Sequence, residues 1–226
     1  MAGEGALFIG DHRNGLEYFL LLAALGQAGR KDIKILGKPY ALSVRLTEAL
    51  DLHHEGYILP VIPRTLVSNR WEIFNRDIGM RLFNLNKLST RDEAKAINAT
   101  AITNAASLLA TGYAIGIFPT GKVNSATKSV WYRGVGEIIK LLPEEAREKV
   151  VIIPFQFGHF TQLRLVGTLW LYSKGVELKP RTISLNLGRH ITVADFLTSE
   201  TAGSTDPQLI TERLRIRYVQ DFHSDH

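Results

Sequence analysis

The sequence contains no cysteine among its 226 residues. This absence excludes disulfide bonds, thiol catalysis and cysteine-ligated metal sites. It fits a reducing compartment, and we expect a cytoplasmic protein. Long apolar runs are also missing, since the most apolar stretch, Phe19–Leu25, is far too short to span a bilayer. The N-terminal stretch does not resemble a signal peptide, because it lacks a basic region and Glu4 and Asp11 interrupt its apolar residues.

Runs of like charge are absent too, so nothing suggests a nucleic-acid-binding arm, and we expect no nucleic-acid partner. The formal net charge of +5 is a modest basic excess, which suits phosphate groups or an anionic membrane surface. Hydrophobic residues make up 45% of the chain and allow a sizeable core. Without repeats or an obvious linker, we expect one domain over residues 1–226.

Strand patterns alternate with helix patterns along the chain. The predicted strands are Ala6–Ile9, Ile33–Leu36, Tyr113–Phe118, Val150–Phe155 and Thr182–Leu187, and Tyr57–Ile62 is a further apolar segment. The predicted helices are Leu16–Ala28, Leu42–Ala49, Thr90–Ala110, Gly134–Leu142 and Asp206–Phe222. The alternation predicts an α/β fold with a mostly parallel, partly mixed central sheet flanked by helices.

In such a sheet, functional residues belong at the carboxyl ends of the strands. His12 follows the first strand, the Pro119–Lys122 turn follows another, and Pro154 closes a third in this prediction.

The stretch HRNGLE holds the first candidate site. Asn14 and Gly15 can turn the chain so that the carboxylate of Glu17 folds back towards the His12 imidazole. An acid that accepts a hydrogen bond from one ring nitrogen leaves the other nitrogen free to take a proton from an alcohol. In the alternative interpretation, His12 is an ordinary turn residue and Glu17 is an acid favoured at a helix start. Spacing alone leaves both interpretations open.

The stretch GIFPTGKV holds the second candidate site. Gly116–Lys122 matches most of a phosphate-binding loop, but Val123 stands where that loop needs a hydroxyl. The nucleotide-binding hypothesis is therefore weaker than a strand end followed by a turn, in which Gly121 lets the backbone approach a ligand. Lys122 and Arg133 add positive charge nearby.

Together these stretches resemble the glycerolipid acyltransferases of the lysophosphatidic acid acyltransferase type. Five blocks in family-like order carry the resemblance over nearly the whole chain: DHRNGLE, NLNKLSTRDEAKAINATAITNAASLLATG, IGIFPTGKVNS with the following SVWYRGVGEII, VVIIPFQF, and KPRTISLNLGRHITVADFL.

The resemblance implies a fatty acyl transfer from acyl-CoA or an acyl-carrier protein to a lysophospholipid-like acceptor, as in phospholipid biosynthesis. His12 would be the general base and Glu17 would orient it. No metal and no organic cofactor would be needed, because the thioester is already activated. The implied substrate-binding residues are Thr120, Gly121, Lys122, Arg133, Pro154 and, for the arginine of the second block, Lys87 or Arg91.

Departures from the family pattern bear on the acceptor. Glu17 replaces an aspartate, Thr120 replaces a glutamate, and Val123 replaces an arginine whose charge Lys122 could restore. These differences permit another acceptor, or a catalytically degenerate protein that binds lipid or acyl chains on the same fold. No membrane helix precedes the first block, so we expect any peripheral contact with the cytoplasmic membrane face to come from exposed apolar residues and basic charge.

Overall fold

The computed structural model describes residues 4–10, 17–37, 58–61, 91–120, 130–158 and 183–223. These residues form one mixed sheet, whose strands are β1 Ala6–Gly10, β2 Ile33–Gly37, β3 Ile58–Pro60, β4 Ala114–Ile117, β5 Val151–Gly158, β6 Ser184–Leu187 and β7 Ile191–Thr192. The strand order is β3-β2-β4-β1-β5-β6, and β7 also pairs with β5. Strands β1 to β5 are parallel, whereas β6 and β7 run antiparallel to β5. The predicted α/β fold with a partly mixed sheet is confirmed.

The helices of the described part flank this sheet. They are α1 Glu17–Gln27, α2 Arg91–Ala110, α3 Gly134–Leu141, α4 Glu144–Arg147, α5 Val193–Thr201 and α6 Pro207–His223. The predicted helix at Leu42–Ala49 lies outside the described residues, and α5 was not predicted. None of these helices has the length and apolar character needed to cross a bilayer.

Alternate residues of the central strands build two separate cores. Ala6 and Phe8 of β1 pack with Leu21 and Leu22 of α1 on one face of the sheet. Leu7 and Ile9 point to the opposite face. There they join buried residues of α2, α3, α5 and α6. The period of two along a strand produces this division, because successive side chains point to opposite faces.

The division also creates a topological switch point between β1 and its neighbour β4. The helix that follows β1 covers one face of the sheet, and the helix that follows β4 covers the other. Chain segments that leave two adjacent parallel strands in opposite directions open a crevice at the carboxyl ends of those strands. Gly10 at the end of β1 and the described residues after β4, Phe118 to Thr120, lie at this edge of the sheet.

The predicted strand Val150–Phe155 ends too early, and the prediction that Pro154 closes it is wrong, since β5 continues to Gly158. The proline is tolerated because a bulge lies opposite it. Between the pairs Phe155–Leu187 and Ile152–Ile191, β5 has two residues and the edge chain has three. Proline within a sheet is confined to edges and bulges, where no ladder hydrogen bond is required of its nitrogen.

Helix α6 holds this bulge in place. The carbonyl oxygen of Pro154 accepts a hydrogen bond from Gly188 N at 2.8 Å. Asp221 of α6 accepts hydrogen bonds from the backbone N and the Nε of Arg189, at 3.0 and 2.8 Å. A Cβ added to Gly188 would lie 3.1 Å from Cβ of Pro154 and 2.6 Å from Oδ2 of Asp221. The ring of Pro154 therefore lies on the α6 side of the sheet.

Candidate functional site

Glu17 is a buried acid at the start of a helix. It begins α1 at the switch point, and only 2% of its surface is exposed. Acids in the first turns of other helices behave differently, since Asp92 of α2, Glu144 of α4 and Asp195 of α5 are all exposed. The helix dipole favours an acid at any of these positions without requiring burial. Burying a carboxylate costs free energy that contacts in the folded protein must offset, so the burial of Glu17 reflects its tertiary surroundings rather than the helix start alone.

Its predicted partner, His12, lies outside the described residues, two positions after the end of β1. The described structure does fix both ends of the connecting segment: Gly10 ends β1, and Glu17 begins α1.

The charge of Glu17 affects the pKa of Tyr18, the next residue of α1. Burial raises the pKa of the Tyr18 phenol far above its ordinary value, and the negative charge of Glu17 raises it further. The phenol therefore stays protonated at every physiological pH. The Tyr18 ring also packs edge-to-face against Phe118, with ring centroids 4.8 Å apart. Phe118 is the first residue after β4, so this contact links the two sides of the switch point.

A row of aromatic rings continues from this contact under the carboxyl edge of the sheet. Phe118 packs against Phe155 of β5 with centroids 5.7 Å apart, and Phe155 contacts Phe8 at 6.4 Å and Phe157 at 5.7 Å. Each of these contacts is edge-to-face, the arrangement that the ring quadrupole favours. We call Tyr18, Phe118, Phe155, Phe8 and Phe157 the aromatic row. Phe8, Phe118 and Phe155 are buried, so the row forms the core under the α1 side of the candidate site.

Gly10 makes room for the ring of Phe155. A Cβ at Gly10 would lie 2.3 Å from Cζ of Phe155 and 2.6 Å from its Cε1. The Phe155 ring therefore lies directly over the last residue of β1. A larger residue at position 10 would push this ring away.

The turn after β4 brings the third block to the same edge. Thr120 is 1% exposed, although the residues after it, including Gly121 and Lys122, lie outside the described part. Gly116 and Ile117 belong to β4. The first part of the phosphate-loop match is thus strand rather than loop, which disfavours the nucleotide-binding hypothesis.

Arg133 lies where the chain returns from this block. The carbonyl oxygen of Pro119 accepts a hydrogen bond from Tyr132 N at 2.8 Å, so the residue before Arg133 is tied to the turn after β4. The Arg133 side chain is 73% exposed and forms a 3.4 Å ion pair with Glu137. It is accessible to an anionic group.

Other predicted substrate-binding residues lie apart from this cluster or outside the described residues. Pro154 lies on the α6 side of the sheet, whereas the aromatic row lies on the α1 side. Arg91 is the exposed first residue of α2. Lys87 is outside the described part. Within the described part, no cluster of three His, Asp or Glu side chains could hold a metal ion.

Sequence reasoning missed Gly10, Tyr18 and the rest of the aromatic row. A signal existed, because Phe8, Phe118 and Phe155 all occur near the ends of predicted parallel strands, where their rings can meet. Compared with known proteins, the chain matches no protein-family model and no curated protein sequence. Its function is therefore inferred from the motifs and from the geometry of this site.

Proposed function

We propose that this chain is an acyltransferase on a glycerolipid acyltransferase-like fold. It moves a fatty acyl group from an acyl-CoA or acyl-carrier-protein thioester to the hydroxyl of a lysophospholipid or related acceptor. The observation that carries the proposal is the buried carboxylate of Glu17, five residues after His12, at the switch point between β1 and β4. A buried carboxylate at this position is suited to accept a hydrogen bond from an imidazole and to orient it.

In the proposed reaction, Glu17 accepts a hydrogen bond from one ring nitrogen of His12 and thereby fixes the tautomer. The other nitrogen removes the proton of the acceptor hydroxyl as its oxygen attacks the thioester carbonyl. The tetrahedral intermediate collapses, the carbon–sulfur bond breaks, and the thiolate takes the proton from the imidazolium. The products are the ester and the free thiol, with no covalent enzyme intermediate. Hydrogen-bond donors near the carbonyl would stabilise the oxyanion.

Two further features support this chemistry. The aromatic row packs in the core beside the buried acid and holds the carboxyl edge of the sheet in an apolar environment. Arg133, and Lys122 from the sequence, offer positive charge to an acceptor or donor that bears phosphate. We expect this reaction on the cytoplasmic face of a membrane, where lysophospholipid is presented.

The experiment is free-thiol release from acyl-CoA with lysophospholipids, glycerol phosphate and simple alcohols as acceptors. We expect His12→Ala to lower acceptor-dependent release by about 10²–10⁴-fold, the usual contribution of a general base. Glu17→Gln should lower kcat strongly and change KM less. His190→Ala and Glu144→Gln are the matched controls, since both side chains are exposed and lie in other elements, and both variants should behave as wild type.

Normal turnover by His12→Ala would refute the assignment of the base. If wild type binds acyl-CoA or lipid but releases no thiol with any acceptor or with acyl-carrier-protein donors, the degenerate binding protein becomes the better description. The same fold would serve such a protein.

A further inference from the structure

The segment that leads into α3 presents apolar side chains to solvent. Val130 is 80% exposed and Tyr132 is 44% exposed, whereas Trp131 between them is 3% exposed. This out-in-out pattern is that of an extended segment, so Val130 and Tyr132 project on the same side. Single exposed apolar residues are ordinary, but two adjacent ones on one side form a candidate contact surface.

The segment is anchored to the protein at its middle. The Trp131 ring packs edge-to-face against Tyr218 of α6, with centroids 5.6 Å apart. The backbone N of Tyr132 donates a hydrogen bond to the carbonyl of Pro119 at 2.8 Å. The exposed pair therefore stands on a fixed support. That support adjoins the turn that carries Thr120 of the candidate site.

Positive charge accompanies the apolar pair. Arg133 follows directly, with 73% of its side chain exposed, and its ion pair with Glu137 is a surface pair that leaves the charge largely available. Among the described residues 130–140, Arg133 and Lys140 are basic and Glu137 is the one acid. An aromatic residue with a polar tip, beside an aliphatic residue and a cation, matches the chemistry of the membrane–water interface.

We propose that Val130, Tyr132 and Arg133, the 130–133 surface, dock the protein on an anionic lipid membrane. The charge of the 130–133 surface favours an anionic membrane over a second copy of the chain as its binding partner. A symmetric dimer would bring the same patch of both subunits together and therefore place the two Arg133 side chains against each other. A stable dimer also needs about 800 Å² per partner, which two exposed side chains do not supply. An anionic lipid surface complements the charge and requires only shallow insertion.

Docking at the 130–133 surface rests on the proposed function in one respect, since its role would be to bring a lipid acceptor to the switch point. Docking itself is measured without any acyl donor. The experiment is co-sedimentation of the full chain with vesicles of phosphatidylcholine alone or mixed with phosphatidylglycerol. The key variant is V130S/Y132S, and Arg133→Gln tests the charge. The matched control is L141S/L187S, which removes two other large apolar side chains that are 48% and 56% exposed.

We expect wild type to bind the anionic vesicles better than the neutral ones, and to bind less as salt rises. V130S/Y132S should lower the partition coefficient by about tenfold, the loss that two shallowly inserted apolar side chains predict. Arg133→Gln should lower it by about fivefold on anionic vesicles alone. The control should bind as wild type.

The proposal is overturned if wild type does not bind anionic vesicles, or if the control L141S/L187S loses as much vesicle binding as V130S/Y132S. It is also overturned if V130S/Y132S changes the mass found by light scattering but not vesicle binding, because the surface would then join copies of the chain. Glu17→Gln should bind vesicles as wild type does. Membrane docking and acyl transfer can therefore fail independently, and the two assays tell the failures apart.

Discussion

Replacing Gly10 with alanine tests the packing that shapes the candidate site. The new Cβ would lie 2.3 to 2.7 Å from three atoms at the tip of the Phe155 ring. Ordinary contacts between carbon atoms begin at roughly 3.5 Å, so the ring must move by about 1 Å. The site thus responds to a single methyl group at the end of β1.

The Phe155 ring has little freedom to make this shift. It is fully buried and packs edge-to-face against Phe8, Phe118 and Phe157. Overpacking of this kind costs about 1–3 kcal/mol. The φ angle of Gly10 is not positive, so alanine can adopt the same backbone conformation. Alanine also restricts the unfolded chain, which stabilises the protein by up to about 1 kcal/mol. We expect Gly10→Ala to lower the free energy of unfolding by about 1–2 kcal/mol.

Two controls isolate the cause. Gly26→Ala in α1 introduces the same methyl group where no atom lies within 4 Å, and it should raise stability by about 0.5 kcal/mol. In a Phe155→Leu background the tip of the ring is gone, so Gly10→Ala should cost less than about 0.5 kcal/mol there. Urea unfolding with linear extrapolation measures all four variants. If Gly10→Ala is as stable as wild type, or costs the same in both backgrounds, the Phe155 contact does not explain the glycine.

Two further predictions concern the pKa of Tyr18 and the crossing of α3 and α6. The native fold keeps the Tyr18 phenol protonated at pH values where the unfolded chain releases that proton. The free energy of unfolding is therefore unaffected below about pH 10 and falls above it. Wild type should then lose up to about 1.4 kcal/mol per pH unit more than Tyr18→Phe, and equal slopes in urea titrations would contradict the buried phenol. Gly136→Ala places a Cβ 2.0 Å from the carbonyl oxygen of Pro207, at the start of α6, and should cost about 3 kcal/mol or more. Gly134→Ala has open space and should be near neutral in thermal unfolding, so similar losses for both would contradict the close crossing.

The central strands could be predicted from sequence because burial on both faces makes each one a continuous apolar run. The predicted strands at 6–9 and 113–118 agree with β1 and β4 to within a residue at each end. The extension of β5 beyond Phe155 could not be predicted, since Pro154 is allowed only by a bulge in the partner chain segment, far along the sequence. Helix α5 could have been found: Thr192 accepts a hydrogen bond from Asp195 N, a cap with a recognisable sequence spacing.

The location of the site was predictable, but its composition was not. Topology alone brings residues after β1 and β4 to one edge, and the buried Glu17 and Thr120 lie there. Whether a first-turn acid is buried depends on tertiary packing, because the helix dipole favours it in either case. The aromatic row joins rings from four elements that are far apart in sequence. Its edge-to-face contacts depend on strand register, which the apolar pattern of a single strand does not specify.

The two interpretations of Glu17 predict similar stability but different rates of acyl transfer for the same variant. If Glu17 only begins α1, Glu17→Gln loses a dipole interaction of about 0.3–1 kcal/mol, removes a buried charge, and leaves transfer unchanged. If Glu17 orients His12, the same variant should keep its stability to within about 1 kcal/mol and lose transfer by on the order of 10²-fold. Glu17→Asp keeps the charge, shortens the side chain by one methylene, and should retain part of the rate. Equal rates for all three proteins would leave burial of Glu17 without a catalytic explanation. A rate that falls in Glu17→Gln and partly returns in Glu17→Asp, at constant stability, has no explanation in a helix-start role.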